Sequence, residues 1–178
     1  MRRWLDSGLV YSAELDRRWA VALHQRSGRP LWLKLMLWCS RLGDGPMWAA
    51  VLAALALAGG PRGMACARQL AAAGAANLAI YYAIKGWTRR SRPCQQCPGI
   101  QACAPIPDRF SFPSGHSLHA AAFALLLSAA YPALAPVLWC YAVLVGVARV
   151  VLGLHYPSDV VVGGLIGVLT ASLVRAWV

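Results

Sequence analysis

Acidic side chains are scarce in this sequence: six Asp and Glu stand against 17 Lys and Arg in 178 residues. They are also scattered, so no cluster of carboxylates offers the oxygen ligands that a divalent cation needs, and neither a metal nor another cofactor is expected. Charge of either sign is thin, at 13% of the chain against about 25% in a typical soluble domain. No stretch reads as a cleavable leader either. Met1 to Arg18 is charged throughout and lacks the apolar core, roughly 7–15 residues long, of a signal peptide, so insertion is expected to depend on internal helices. No tandem repeat is present.

What fills the chain instead is apolar. Hydrophobic residues make up 59%, more than a water-soluble fold of this length can bury, and the bilayer is the natural solvent for them. The formal charge of +11 suits an anionic membrane surface or an anionic substrate. Nucleic acid is not expected as a partner, because long apolar runs interrupt the basic residues.

Five apolar segments stand out: Pro46–Gly60, Met64–Ile84, His116–Tyr131, Pro136–Leu152 and Asp159–Val178. Several fall short of the roughly 20 residues of a full span and would need snorkelling flanks or a thinned bilayer. Pro132 and Pro136 mark a hairpin between two spans, and Gly163-Gly164 with Gly167 suits close helix packing in lipid. The expected fold is therefore all-α, a polytopic membrane helix bundle with about five transmembrane helices. Residues 1–45 read as a separate amphipathic arm and 46–178 as the transmembrane domain. In the arm, Leu15, Trp19 and Leu23 share one stripe and Leu31, Leu35 and Leu42 another. Such helices lie at the interface or cover the flank of the bundle.

Following the spans brings distant polar residues to one face. The second span delivers Lys85, the loop to Gly115 stays there, and the third span leaves from His116. The fourth returns with Arg149, and His155 and Asp159 precede the last. Lys85 and Arg92 are seven apart, so a continued helix would place them on one face. Arg and Lys suit phosphate oxygens, and Pro113-Ser114-Gly115-His116 opens a helix whose N–H groups form an anion site, with Gly115 allowing close approach. Asp159, four residues after His155, can hold one imidazole nitrogen and leave the other to attack phosphorus. His116 can protonate the leaving oxygen. Arg89, Arg90 and Arg109 read individually as interfacial anchors, and His119 as a packing histidine. Cys94, Cys97 and Cys103 could hold one disulfide if this face is oxidising, or remain packing thiols. A zinc site lacks a fourth ligand.

Three stretches in this order, Lys85–Arg92-Pro93, Pro113-Ser114-Gly115-His116 and Arg149–His155–Asp159, resemble the motifs of the type 2 phosphatidic acid phosphatase (PAP2) superfamily. They cover residues 85–159, and the hydrophobic layout is similar from about Gly43 onward. The resemblance implies a phosphohistidine on His155 supported by Asp159, with His116 as general acid and then base. Lys85, Arg92, Ser114, Gly115 and Arg149 would bind the phosphate, without a metal. It also implies a lipid phosphate substrate of the undecaprenyl pyrophosphate, phosphatidylglycerophosphate or phosphatidic acid class, among membrane lipids, in a bacterial inner membrane with the site facing the periplasm. The chain departs from the pattern at Ala148, where the family has Ser, and in having five spans where membrane members commonly have six. Basic residues argue against that orientation: the site face carries six, and eight more in the arm, against Arg62, Arg68 and Arg175 opposite. The alternative reading is a non-enzymatic carrier of lipid phosphate, which would not need His155 beside Asp159.

Overall fold

The computed structural model describes the backbone of residues 2–178 and the side chains of residues 13–178. Among the described residues it is all-α: α1 Arg2–His24, α2 Pro30–Leu42, α3 Gly45–Ala58, α4 Gly60–Thr88, α5 Pro93–Gln96, α6 Gly115–Ala130, α7 Ala135–Val151 and α8 Pro157–Trp177. A single antiparallel bridge joins Ser91 to Phe110. Proline stands in the first turn of α2, α3, α4, α5, α7 and α8, where its missing N–H costs nothing. The five apolar segments become α3, α4, α6, α7 and α8, and the proline pair becomes a short turn at Pro132–Leu134.

Two stretches, Pro132–Val151 and Pro157–Trp177, are long and apolar enough to cross a membrane, while α3 and α6 are shorter apolar helices. On α8 the usual inside–outside order is reversed. Val161, Leu165, Leu169 and Leu173, four apart, are more than half exposed, while Gly163, Gly167, Thr170 and Ala171 face inward. Large aliphatics outside and small residues inside fit a helix whose outer solvent is hydrocarbon.

The small residues set how closely α8 meets α6. A Cβ on Gly167 would lie 2.1 Å from the Leu118 carbonyl oxygen, and one on Gly163 2.6 Å from that of Ser114. The two backbones touch, and no side chain fits between them. Gly164 faces only the Ala121 methyl at 4.0 Å, so of the expected pair Gly163 is the packing residue. Thr170 on α8 also donates to Asn77 Oδ1 on α4 at 2.6 Å. These contacts hold α8 against α6 and α4, and the one between Gly163 and Ser114 lies at the start of α6, where the polar residues gather.

The N-terminal helices are packed onto this end. Met36 and Cys39 of α2 share a core with Ala148, Val151, Leu152 and Leu154, and Ala20 of α1 with Cys97, Ile100, Val150 and Tyr156. Trp19, Leu31, Leu35 and Trp38 remain on the outer side. His24 receives the Gln101 N–H on Nε2 at 3.2 Å, so Nδ1 carries the proton and donates to the Val151 carbonyl at 2.9 Å.

Candidate active site

His155 sits in the turn between α7 and α8 and is 2% exposed. Gly153 makes that turn at φ +74°, and a Cβ there would meet the Gln101 carbonyl oxygen at 2.5 Å. The His155 and Leu154 amides both donate to the Arg149 carbonyl, at 3.2 and 3.1 Å, which ties the loop to the end of α7. Arg92 Nη1 approaches His155 Nε2 at 3.2 Å. Guanidinium only donates, so Nε2 is the acceptor and Nδ1 carries the proton. Nδ1 faces Asp159 Oδ2 at 3.6 Å, within ion-pair range though longer than a hydrogen bond. Burial pushes the His155 pKa down to about 3, Arg149 and Arg92 push the same way, and Asp159 opposes them. The ring is therefore neutral, with its nucleophilic lone pair on Nε2.

Asp159 is fully buried and spends its oxygens on several partners. Oδ2 accepts from the Tyr156 amide at 2.8 Å, closing the first turn of α8, and Oδ1 accepts from Arg90 Nη1 at 2.7 Å. Its carbonyl accepts the Ser114 amide at 3.0 Å, so the second and third motifs are joined through their backbones. Arg90 was expected to be an interfacial anchor, and the structure corrects that. It also bonds Ser158 Oγ at 2.7 Å and Asp16 Oδ2 at 2.6 Å, and lies over the Tyr156 ring. The attraction of a buried carboxylate overrides the pull of the interface. Arg109 stays beside Phe110 and Arg89 over its own helix end, outside this group. His119 packs edge-on against Phe123.

Lys85 and Arg92 converge, but not along one helix. α4 stops at Thr88 because Arg89 takes a left-handed φ of +48°, and Arg92 arrives from the turn before α5. Both cations meet on Asp108, at 2.5 Å from Lys85 Nζ and 3.1 Å from Arg92 Nη2. Ser114 Oγ caps α6, accepting from the Ser117 hydroxyl at 2.9 Å and its amide at 3.4 Å. Gly115 is small for a reason the sequence did not reveal: a Cβ would lie 2.7 Å from the Tyr81 ring. The glycine thus admits a neighbouring aromatic. His116 Nε2 donates to Asp44 Oδ1 at 2.8 Å, on the corner between α2 and α3.

Arg149 is buried and makes one side-chain hydrogen bond, from Nη1 to Ser40 Oγ at 2.7 Å. Its Nε and Nη2 have no partner among the described residues. The side chain lines a cavity of about 200 Å³ together with Ser40, Asp44, Pro105, Pro107 and His116. An arginine that lines a cavity and keeps two guanidinium nitrogens unpartnered has donors left for an anion. Lys85, Arg92 and His155 lie off that wall.

All eight expected residues thus gather at one end of the bundle. Missed were Asp16, Asp44, Asp108 and Arg90. The scarcity of acid was itself a usable signal, since Asp16, Asp44, Asp108 and Asp159 are four of the six acidic residues and all four sit here. The three loop cysteines carry free thiols. Cys97 Sγ lies 3.7 Å from the Tyr156 hydroxyl, and Cys103 Sγ donates to the Gln101 carbonyl at 3.7 Å.

Comparison with known proteins agrees with the motifs. Residues 66–178 match the family model of the PAP2 superfamily. Decaprenylphosphoryl-5-phosphoribose phosphatase of Mycobacterium tuberculosis is 38% identical over 96 residues, covering 54% of this chain and 52% of the relative. The chain spans about half the length of the curated relatives it matches. Among solved structures, a transmembrane phosphatidylglycerolphosphate phosphatase from Bacillus subtilis superposes with a TM-score of 0.74 at 24% identity, covering 94% of this chain and 86% of that one. LpxE of Aquifex aeolicus gives 0.78 at 23% identity, covering 93% and 94%. These likenesses establish the fold.

Proposed function

Because the chain belongs to the PAP2 superfamily and is a membrane protein with that fold, we propose that it is an integral-membrane lipid phosphatase working through a phosphohistidine on His155. The observation that carries the reading is Arg149: a buried residue with two unpartnered guanidinium nitrogens that lines a cavity together with His116, at the end of the bundle that holds His155. Nε2 of neutral His155 attacks phosphorus while the bond to the lipid oxygen breaks. Asp159 stabilises the imidazolium character that develops on Nδ1–H. His116, held by Asp44, gives a proton to the leaving lipid oxygen. It then takes one from the water that splits the N–P bond, releasing phosphate and restoring His155. Arg149, Lys85 and Arg92 stabilise charge on the phosphoryl oxygens. Ser114 and Gly115 support the reading through the helix they open, since the N-terminus of a helix favours an anion.

The substrate is a phosphomonoester or pyrophosphate on a lipid, of the undecaprenyl pyrophosphate, phosphatidylglycerophosphate or phosphatidic acid class. Support comes from the polyprenyl and glycerolipid phosphates named for its relatives. Purified protein in detergent is expected to release inorganic phosphate from at least one of these three with excess EDTA present. No release from any of them, or release only when a divalent cation is restored, would count against a metal-independent phosphatase.

The inner membrane, with the site facing the periplasm, completes the proposal. In that compartment, two of Cys94, Cys97 and Cys103 can pair. Partly buried Cys103 is the natural reporter. An impermeant maleimide applied to intact spheroplasts is expected to label it, directly or after impermeant reductant. Labelling that appears only once the membrane is permeabilised places the site in the cytoplasm.

A further inference from the structure

The anion that Lys85 and Arg92 hold in this structure is part of the chain itself. Asp108 Oδ1 receives Lys85 Nζ at 2.5 Å, Arg92 Nη2 at 3.1 Å and the Phe110 amide at 3.0 Å, while the Tyr81 hydroxyl donates to Oδ2. Two cations, a hydroxyl and a backbone N–H are the donor set that a phosphoryl group asks for. The remaining capacity of the two cations is spent nearby. Lys85 also donates to the Phe110 carbonyl at 2.7 Å, and Arg92 Nε to the Asp108 carbonyl at 2.9 Å. Held this way, Arg92 keeps Nη1 against Nε2 of His155, on the lone pair that must attack.

We propose that Asp108 is a resident anion competing with the substrate phosphoryl group for Lys85 and Arg92, and that its displacement opens the site. This rests on the phosphatase reading above. The loop carrying it is built to move. Residues 97–114 form no helix, and the flanking anchors are the Cys103 amide on Leu152 and the Ser111 amide on Arg90. Between those anchors, among the described residues, no backbone amide from 104 to 110 bonds another backbone group, and Pro105 and Pro107 have no N–H to offer. Asp108 is the main fastening of that stretch. The same stretch, through Ala104, Pro105 and Pro107, walls the cavity of His116 and Arg149. Withdrawing it joins that cavity to Lys85, Arg92 and His155, and frees Nε2. Protonation does not relieve the competition. Burial raises the Asp108 pKa, but the hydrogen bonds from Lys85 and Tyr81 and the nearby cations outweigh it and hold it at about 2.

Asp108→Asn keeps the shape and removes the charge. Inorganic phosphate, as a competitive product inhibitor of lipid phosphate hydrolysis, is expected to bind this variant at least tenfold more tightly than the wild type. A second measurement uses the unaltered enzyme. Saturating phosphate should speed tryptic cleavage after Arg109, which is exposed on the same loop. A phosphate inhibition constant that is unchanged or weaker in Asp108→Asn makes the carboxylate a positioning group for the cations and overturns displacement. So does unchanged or slower cleavage after Arg109 with phosphate bound. A wild type that releases no phosphate from any lipid counts instead against the underlying phosphatase reading.

Discussion

His155→Ala is expected to lower phosphate release by roughly 10⁴-fold or more, the scale seen when a covalent nucleophile is removed. The fold should survive, since Asp159 retains the Tyr156 amide and Arg90, and Arg92 retains the Leu154 and Asp108 carbonyls. Wild-type enzyme quenched during turnover of a ³²P-labelled lipid should carry label that is stable to alkali and lost in acid, as a phosphoramidate is. The alanine variant should carry none. The pH profile makes a separate demand. With the imidazole pushed down to about 3 by burial, the protonated, inactive form grows only as pH falls through that value. Titration of His155 therefore leaves the rate flat from about pH 5 upward, and any limb between pH 5 and 7 belongs to another group. Full turnover by His155→Ala would remove the nucleophile assignment, whereas a wild type that binds lipid phosphate without releasing phosphate would revive the carrier reading.

The parts of this site legible in the sequence are those written in local spacing. His155 and Asp159 lie four apart across a helix start, and Ser114 precedes an apolar run as a cap does, so both could be placed without coordinates. The alternation of apolar runs with Pro and Gly also located the five bundle helices to within a few residues. What failed depended on backbone conformation or on distant partners. A left-handed turn at Arg89 took Arg92 off the helix that the seven-residue spacing suggested. The room that Gly115 leaves for Tyr81, 34 positions earlier and on another helix, could not be seen in the local spacing. Arg90 looked like an anchor because its two carboxylate partners come from α1 and α8, 74 and 69 residues away. Asp108 lies outside every motif. Its meaning comes from the bridge between Ser91 and Phe110, which folds the loop back onto the cations.

Arg149 should show activity and stability moving in opposite directions. Its aliphatic stem is packed, one nitrogen bonds Ser40, and Nε and Nη2 are buried without partners. A buried polar group left unpaired costs about 1–3 kcal/mol, and a charge more, so this side chain strains the fold it sits in. Arg149→Met keeps much of the volume and removes that cost. The variant is expected to unfold in detergent at a Tm equal to or above that of the wild type. Its kcat should fall by about 10²–10³-fold, the usual loss when one donor to a developing oxyanion is deleted. Arg149→Lys, a point charge without the two-pronged guanidinium, should recover part of the rate. Arg92, with partners for Nε, Nη1 and Nη2, should show no such split, and losing it should lower Tm and rate together. A destabilised Arg149→Met would mean that the orphaned nitrogens are structural, and a fully active one would place the phosphoryl group elsewhere.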